Sequence, residues 1–280
     1  MQPVINIFFI VFFSLNSQIA CNKSSGTKQK DVKIIVATEK PRKIETLNNT
    51  KQIKRISDIP VPDGYERVEV KDLSFDQYLR KLALNTDDNN VYSYDGSVIM
   101  GVDGYQYAVI DMDIGKRDLQ QCADAVMRLR AEYLYHQKKY AEIHFNFLSD
   151  GKPRYYTSYS KTDRTYPKFR KYMNYIFAYA NTGSLKKELK KVIKLEDIQI
   201  GDIFIQTGQP FGHAVIVVDV AKEKETGKKI FMVAQSFMPA QSIHIIKNYD
   251  KNLNPWYSVD FGESLNLPSW TFYSSDLRRF

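Results

Sequence analysis

Cysteine is nearly absent from this chain, which has two in 280 residues, at Cys21 and Cys122. With Cys21 ahead of the globular part, Cys122 is its one thiol and no disulfide can form within it, so it must be held together by its core. Histidine is scarce too, four in all. His136, His144 and His244 have no ligand spacing between them, and one domain cysteine does not make a zinc site, so neither a metal nor a cofactor is expected. Long hydrophobic runs are missing: the stretch from Val4 to Leu15 is too short to span a bilayer comfortably. Internal repeats, low-complexity tracts and nucleic-acid recognition motifs are lacking as well.

What is present is a globular composition, with 43% apolar and 13% aromatic residues, enough to bury a sizeable core. The segment MQPVINIFFIVFFSLNSQIA at residues 1–20 reads as a signal peptide. Cys21 follows Ile19-Ala20, where bacterial lipoprotein signals place the lipidated cysteine, so a lipid anchor is expected there. Residues 21–55 are polar and charged and cannot offset the entropy of ordering, so they read as a lipidated tether. One domain is expected over 56–280. The net charge of +8 is either a solvated basic surface or a weak attraction to anionic envelope polymers and headgroups. An exported protein has little occasion to meet nucleic acid.

Within the domain, Ser74 and Gln77 have capping-box spacing ahead of an apolar face of Phe75, Tyr78, Leu79 and Leu82. VYSYDGSVIM and YQYAVIDMDI are strand-like, and a helix is expected from Asp118 to about Lys139. HFNFLSDGKPRYYTSYSKTDRTY reads as irregular, FRKYMNYIFAYA as helical, and a short helix follows the Asn181-Thr182-Gly183 break. From Ile198 the period becomes that of strands, giving helices first and an antiparallel sheet afterwards, an α+β pattern.

Chemistry is concentrated at three positions. In DLQQCADAVMRLRAEYLY, Asp118 is expected to cap the helix with Gln121 reaching back to it, leaving Cys122 in the opening turns where free amides favour a thiolate. Leu119, Cys122, Val126, Leu129 and Tyr133 share one face, so Cys122 also has the reading of a core residue. In QIGDIFIQTGQPFGHAVIVVDV, His213 stands at the mouth of an apolar strand, as a rigid general base or as a satisfied structural residue. A hairpin turning near Lys224 or Glu225 brings Gln235 or Ser236 opposite His213, which makes Gln235 the candidate to orient the imidazole.

Cysteine on an early helix, histidine on a later strand and an amide on the next resembles the papain-like hydrolases, most specifically the NlpC-type and CHAP-type cell-wall enzymes. The matching positions are Cys122, Gly201-Asp202-Ile203, Gly212-His213-Ala214 and Gln235. Gln121-Cys122-Ala123-Asp124 departs from their Asp-Cys-Ser signature. The resemblance implies a papain-like α+β fold with N-terminal helices packed on an antiparallel sheet. It implies Cys122 as nucleophile, His213 as base, Gln235 as its orienter, and an oxyanion site at the Cys122 amide with Gln120 or Gln121. The blocks DLQQCADAVMRLRAEYLY, GDIFIQTGQPFGHAVIVVDVA and AQSFMPAQSIHIIKN also resemble a family of Bacteroides-type lipoproteins known only as domain of unknown function 4846, which carries no activity with it.

The expected function is thiol-dependent hydrolysis or transfer at an amide or ester of a cell-envelope polymer or peptide, with peptidoglycan peptides first. The expected location is the outer membrane, facing the periplasm. The alternative is a non-catalytic envelope module binding glycan, peptide or protein on the same fold; a third reading is an accessory subunit of an outer-membrane complex. Asp111 and Asp113 could hold a cation but read as a solvated strand end. Tyr155, Tyr156, Tyr159 and Tyr166 could stack on sugar rings or pack internally, and Trp256 reads as a structural plug.

Overall fold

The structure, a computed structural model, describes residues 52–280. The expected signal peptide, Cys21 and the tether as far as residue 51 lie outside the described residues. The last residues assigned to the tether belong to the fold: Arg55 bridges Ala83, and the Lys54 carbonyl accepts from the Leu84 amide at 2.8 Å.

The elements of the first half are β1 (Tyr65–Arg67), α1 (Phe75–Arg80), β2 (Val91–Tyr92), β3 (Val98–Met100), β4 (Gln106–Val109) and α2 (Cys122–His136). There follow β5 (His144–Asn146), β6 (Pro153–Tyr155), α3 (Tyr156–Ser160), α4 (Tyr166–Phe177), α5 (Thr182–Glu188) and β7 (Lys190–Lys191). The rest is β8 (Ile203–Gln206), β9 (His213–Glu223), β10 (Lys229–Gln235), β11 (His244–Ile246), β12 (Tyr257–Ser258), β13 (Ser264–Asn266), β14 (Thr271–Tyr273) and β15 (Leu277–Arg279).

One sheet organises the molecule, in the order β4-β11-β10-β9-β8-β15-β7, with β1 also on β9 and β12 also on β10. All of its pairings are antiparallel, so the architecture is α+β. The division into helices first and sheet afterwards is corrected: β1 and β4, from the first half, are strands of this sheet, and β15 slots beside β8. β4 lies within the strand-like YQYAVIDMDI, whereas β1 and β15 have three residues each, too short for an alternation to announce itself. The stretch read as irregular forms the β5–β6 hairpin and α3.

Local chemistry explains the starts. Ser74 Oγ accepts from the Gln77 amide at 3.1 Å, but the Gln77 side chain reaches Leu73 N and Asp72 rather than the cap itself. Asn181 caps α5 by accepting from Gly183 and Ser184, so the break in the sequence is the helix start. Gly201, at φ +89, turns the chain into β8, and the buried Asp202 beside it holds Arg279 of β15 at 2.6 Å.

The first nine residues of β9 are buried without interruption, which is why HAVIVVDV shows no alternation: both faces are covered. Its one interior charge, Asp219, is 0% exposed and is paired with Arg67 at 2.6 Å and Arg80 at 2.8 Å. Those ion pairs tie β1 and α1 to the sheet. Trp256 is likewise enclosed and donates to the Pro60 carbonyl at 2.8 Å.

Candidate functional site

Cys122 is the first residue of α2, one turn earlier relative to the helix than expected, because Gln121 and not Asp118 is the cap. Asp118 instead accepts from Gln121 Nε2 at 3.0 Å and from the Ala240 amide at 2.7 Å, tying the helix entry to the loop after β10. The Gln121 amide donates to Asp124 Oδ2 at 3.2 Å.

Burial, and then the Asp124 carboxyl, push the Cys122 thiol up to about 11. The expectation that helix amides favour a thiolate is therefore corrected: the amides of Ala123 and Cys122 act in that direction, but desolvation outweighs them. The sulfur is 4.0 Å from the Gly212 carbonyl oxygen, and the Ala214 amide is directed at it. It thus rests against the backbone on both sides of His213. A cavity of about 270 Å³ opens beside it, lined by Gln121, Cys122, Asp124, Thr182, Gly212 and Met238 among others.

His213, first in β9, is 1% exposed. Its ring packs against Phe237, Trp270 and Phe272 at centroid distances of 4.7, 5.2 and 5.9 Å. Burial lowers its pKa to about 4, against an opposing contribution from Gln235. Nε2 lies 2.8 Å from Gln235 Oε1, while Nδ1 makes no hydrogen bond among the described residues.

Gln235 does not arrive by direct opposition. The β9–β10 register pairs Lys222 with Lys229 and then shifts at Met232/Val233, so that Ala234 opposes Ile216. Continued one step, this sets Gln235 across from Val215, diagonal to His213 and on the same face. The hairpin turns later than Lys224 or Glu225, and a bulge compensates in part.

The structure thus brings His213 and Gln235 into contact and lays Cys122 along the His213 backbone. Among the described residues no hydrogen bond joins the sulfur to the ring. Gln121 lines the cavity, whereas Gln120 turns inward: its Oε1 accepts from Arg128 and its Nε2 is enclosed without a partner. Asp113 is engaged by Arg128 at 2.8 Å and Arg170 at 3.1 Å, which hold its carboxyl low. Among the described residues no cluster of three or more His, Cys, Asp or Glu could hold a metal ion.

Sequence reasoning missed His244 and Ser269, both bonded to Gln235 at 3.2 and 2.9 Å. The available signal for His244 was its place in QSIHII, on a strand following that of Gln235.

Fold and site define an α+β domain in which a cysteine at a helix start and a buried histidine–glutamine pair meet at one end of an antiparallel sheet. The chain belongs to the family described as domain of unknown function (4846), whose model matches residues 56–279. Neither the curated proteins nor the solved structures gave a match.

Proposed function

We propose that this chain is a papain-like thiol hydrolase or transferase of the cell envelope, acting on an amide or ester, with peptidoglycan peptides as its substrate class. The observation that carries this reading is the 2.8 Å bond from His213 Nε2 to Gln235 Oε1 at the point where the Cys122 sulfur meets the His213 backbone. An anchored Nε2 leaves Nδ1 to work on the thiol.

With the thiol at about 11 and the imidazole at about 4, both groups are neutral near pH 7, so proton transfer accompanies attack instead of preceding it. Cys122 Sγ adds to the carbonyl carbon as its proton passes to His213 Nδ1. The oxyanion is stabilised by the Cys122 amide and the cavity-lining Gln121 side chain. Collapse expels the leaving amine or alcohol with the proton from His213, and water or a second nucleophile then cleaves the thioester. Lipidation at Cys21 places the domain on the outer membrane, facing the periplasm. Among the described residues no helix is long and apolar enough to cross a membrane.

A second reading, a non-catalytic envelope module, draws on the raised thiol pKa and the missing hydrogen bond between sulfur and ring. Incubation with purified peptidoglycan sacculi separates the two. Wild type is expected to release fragments, seen by liquid chromatography and mass spectrometry, whereas Cys122→Ala and His213→Ala bind sacculi and release none. Binding by wild type with no release would sink the enzymatic reading and favour the module.

A further inference from the structure

Behind Gln235 lies a chain of hydrogen bonds whose direction is dictated at its far end. The Ser242 carbonyl oxygen, which can only accept, is 3.0 Å from His244 Nδ1. His244 Nδ1 must therefore carry a proton. Burial lowers the His244 pKa to about 4, so the ring is neutral near pH 7, and a neutral ring with Nδ1 protonated presents Nε2 as an acceptor. Gln235 Nε2 lies 3.2 Å from that nitrogen and donates to it. The other end of the amide, Oε1, then faces His213 Nε2 at 2.8 Å and also accepts from Ser269 Oγ at 2.9 Å.

We propose that His244 is a positioning residue that sets the tautomer of His213 through Gln235, placing the His213 proton on Nε2 and the lone pair on Nδ1. An amide can rotate by half a turn with little change of shape, and in the rotated form it would offer N–H to His213. The proton would then sit on Nδ1, the nitrogen that has to accept from a thiol. Only groups beyond the amide distinguish the two ends, and in this site they are His244 and Ser269. A hydroxyl can donate or accept, so Ser269 alone does not choose between the rotamers, whereas His244, held by Ser242, does. Tyr105 closes the same side, with its ring 5.8 Å from that of His244.

This inference rests on the hydrolase reading for its purpose but is tested separately, by ¹⁵N NMR of the histidine rings in the full chain. In wild type His213 is expected to be protonated on Nε2 and His244 on Nδ1. In His244→Phe, losing one hydrogen bond shifts the ratio of the two amide orientations about tenfold, so the Nδ1–H form of His213 appears and alkylation of Cys122 by iodoacetamide slows. His244→Gln, which retains an acceptor, is expected to restore both. A wild-type His213 protonated on Nδ1 would overturn the proposal, as would an unchanged tautomer in a folded His244→Phe. The wild-type spectrum decides even if the variant does not fold. It reads the tautomer without turnover, so failure of the sacculus assay and failure of this proposal remain distinguishable.

Discussion

Gly212, next to His213, has no room for a side chain: a Cβ there would lie 2.1 Å from the Gln206 carbonyl oxygen and 2.9 Å from Thr182 Oγ1. Gly212→Ala is therefore expected to destabilise the domain by about 1–3 kcal/mol, read from denaturant unfolding, and to shift the backbone against which the Cys122 sulfur rests. Asp219→Asn leaves Arg67 and Arg80 without their buried carboxylate, a loss of about 3–5 kcal/mol; an unfolding midpoint equal to wild type would refute it. At this scale Cys122, His213 and Gln235 stood out in the sequence as candidates because each is a chemically distinct residue beside a recognisable element. His244 was not, since its role depends on which ring nitrogen the Ser242 carbonyl engages.

The elements explain why the thiol pKa is raised. α2 begins at Cys122 and buries twelve of its fifteen residues, Cys122 itself being 6% exposed beside the cavity. Asp124, in the first turn, lies beside the sulfur with Oδ1 unpartnered, and burial holds its own pKa well above the usual carboxylate range. Asp124→Asn is expected to lower the Cys122 pKa from about 11, followed by ultraviolet thiolate absorbance against pH. An amide oxygen can still accept from Gln121, so the cost in stability should stay near or below about 1 kcal/mol. Strand identities from β8 to β11 could be read from composition, but the bulge that sets Gln235 diagonal to His213 could not. A one-residue shift in register leaves no mark on the apolar pattern of a strand buried on both faces.

Across the whole molecule the buried titratable groups oppose one another. His213 and His244 are lowered from 6.5 to about 4, so in the window between, the unfolded chain binds protons that the folded one does not. Their stabilisation is present above pH 6.5 and is lost as pH falls towards 4. Glu188 is raised from 4.5 to about 7 by burial; its contribution is complete below pH 4.5 and is lost as pH rises through 7. His244→Gln is accordingly expected to flatten the acid limb of a stability–pH curve. Glu188→Gln should gain on wild type between pH 4.5 and 7, by on the order of 2 kcal/mol for this partly buried group. Thermal unfolding across pH, with parallel curves as the contrary result, checks both.

The sequence by itself determined the α+β class, the strands β8 to β11 and the candidate residues Cys122, His213 and Gln235, because side-chain type and period are local properties. Tertiary structure alone decided that β1, β4 and β15 complete the sheet, that desolvation outweighs the helix amides at Cys122, and that Gln235 mediates between two histidines. Each of those depends on what a distant segment brings within a few ångströms, and neither hydrogen-bond direction nor dielectric environment is written in residue order.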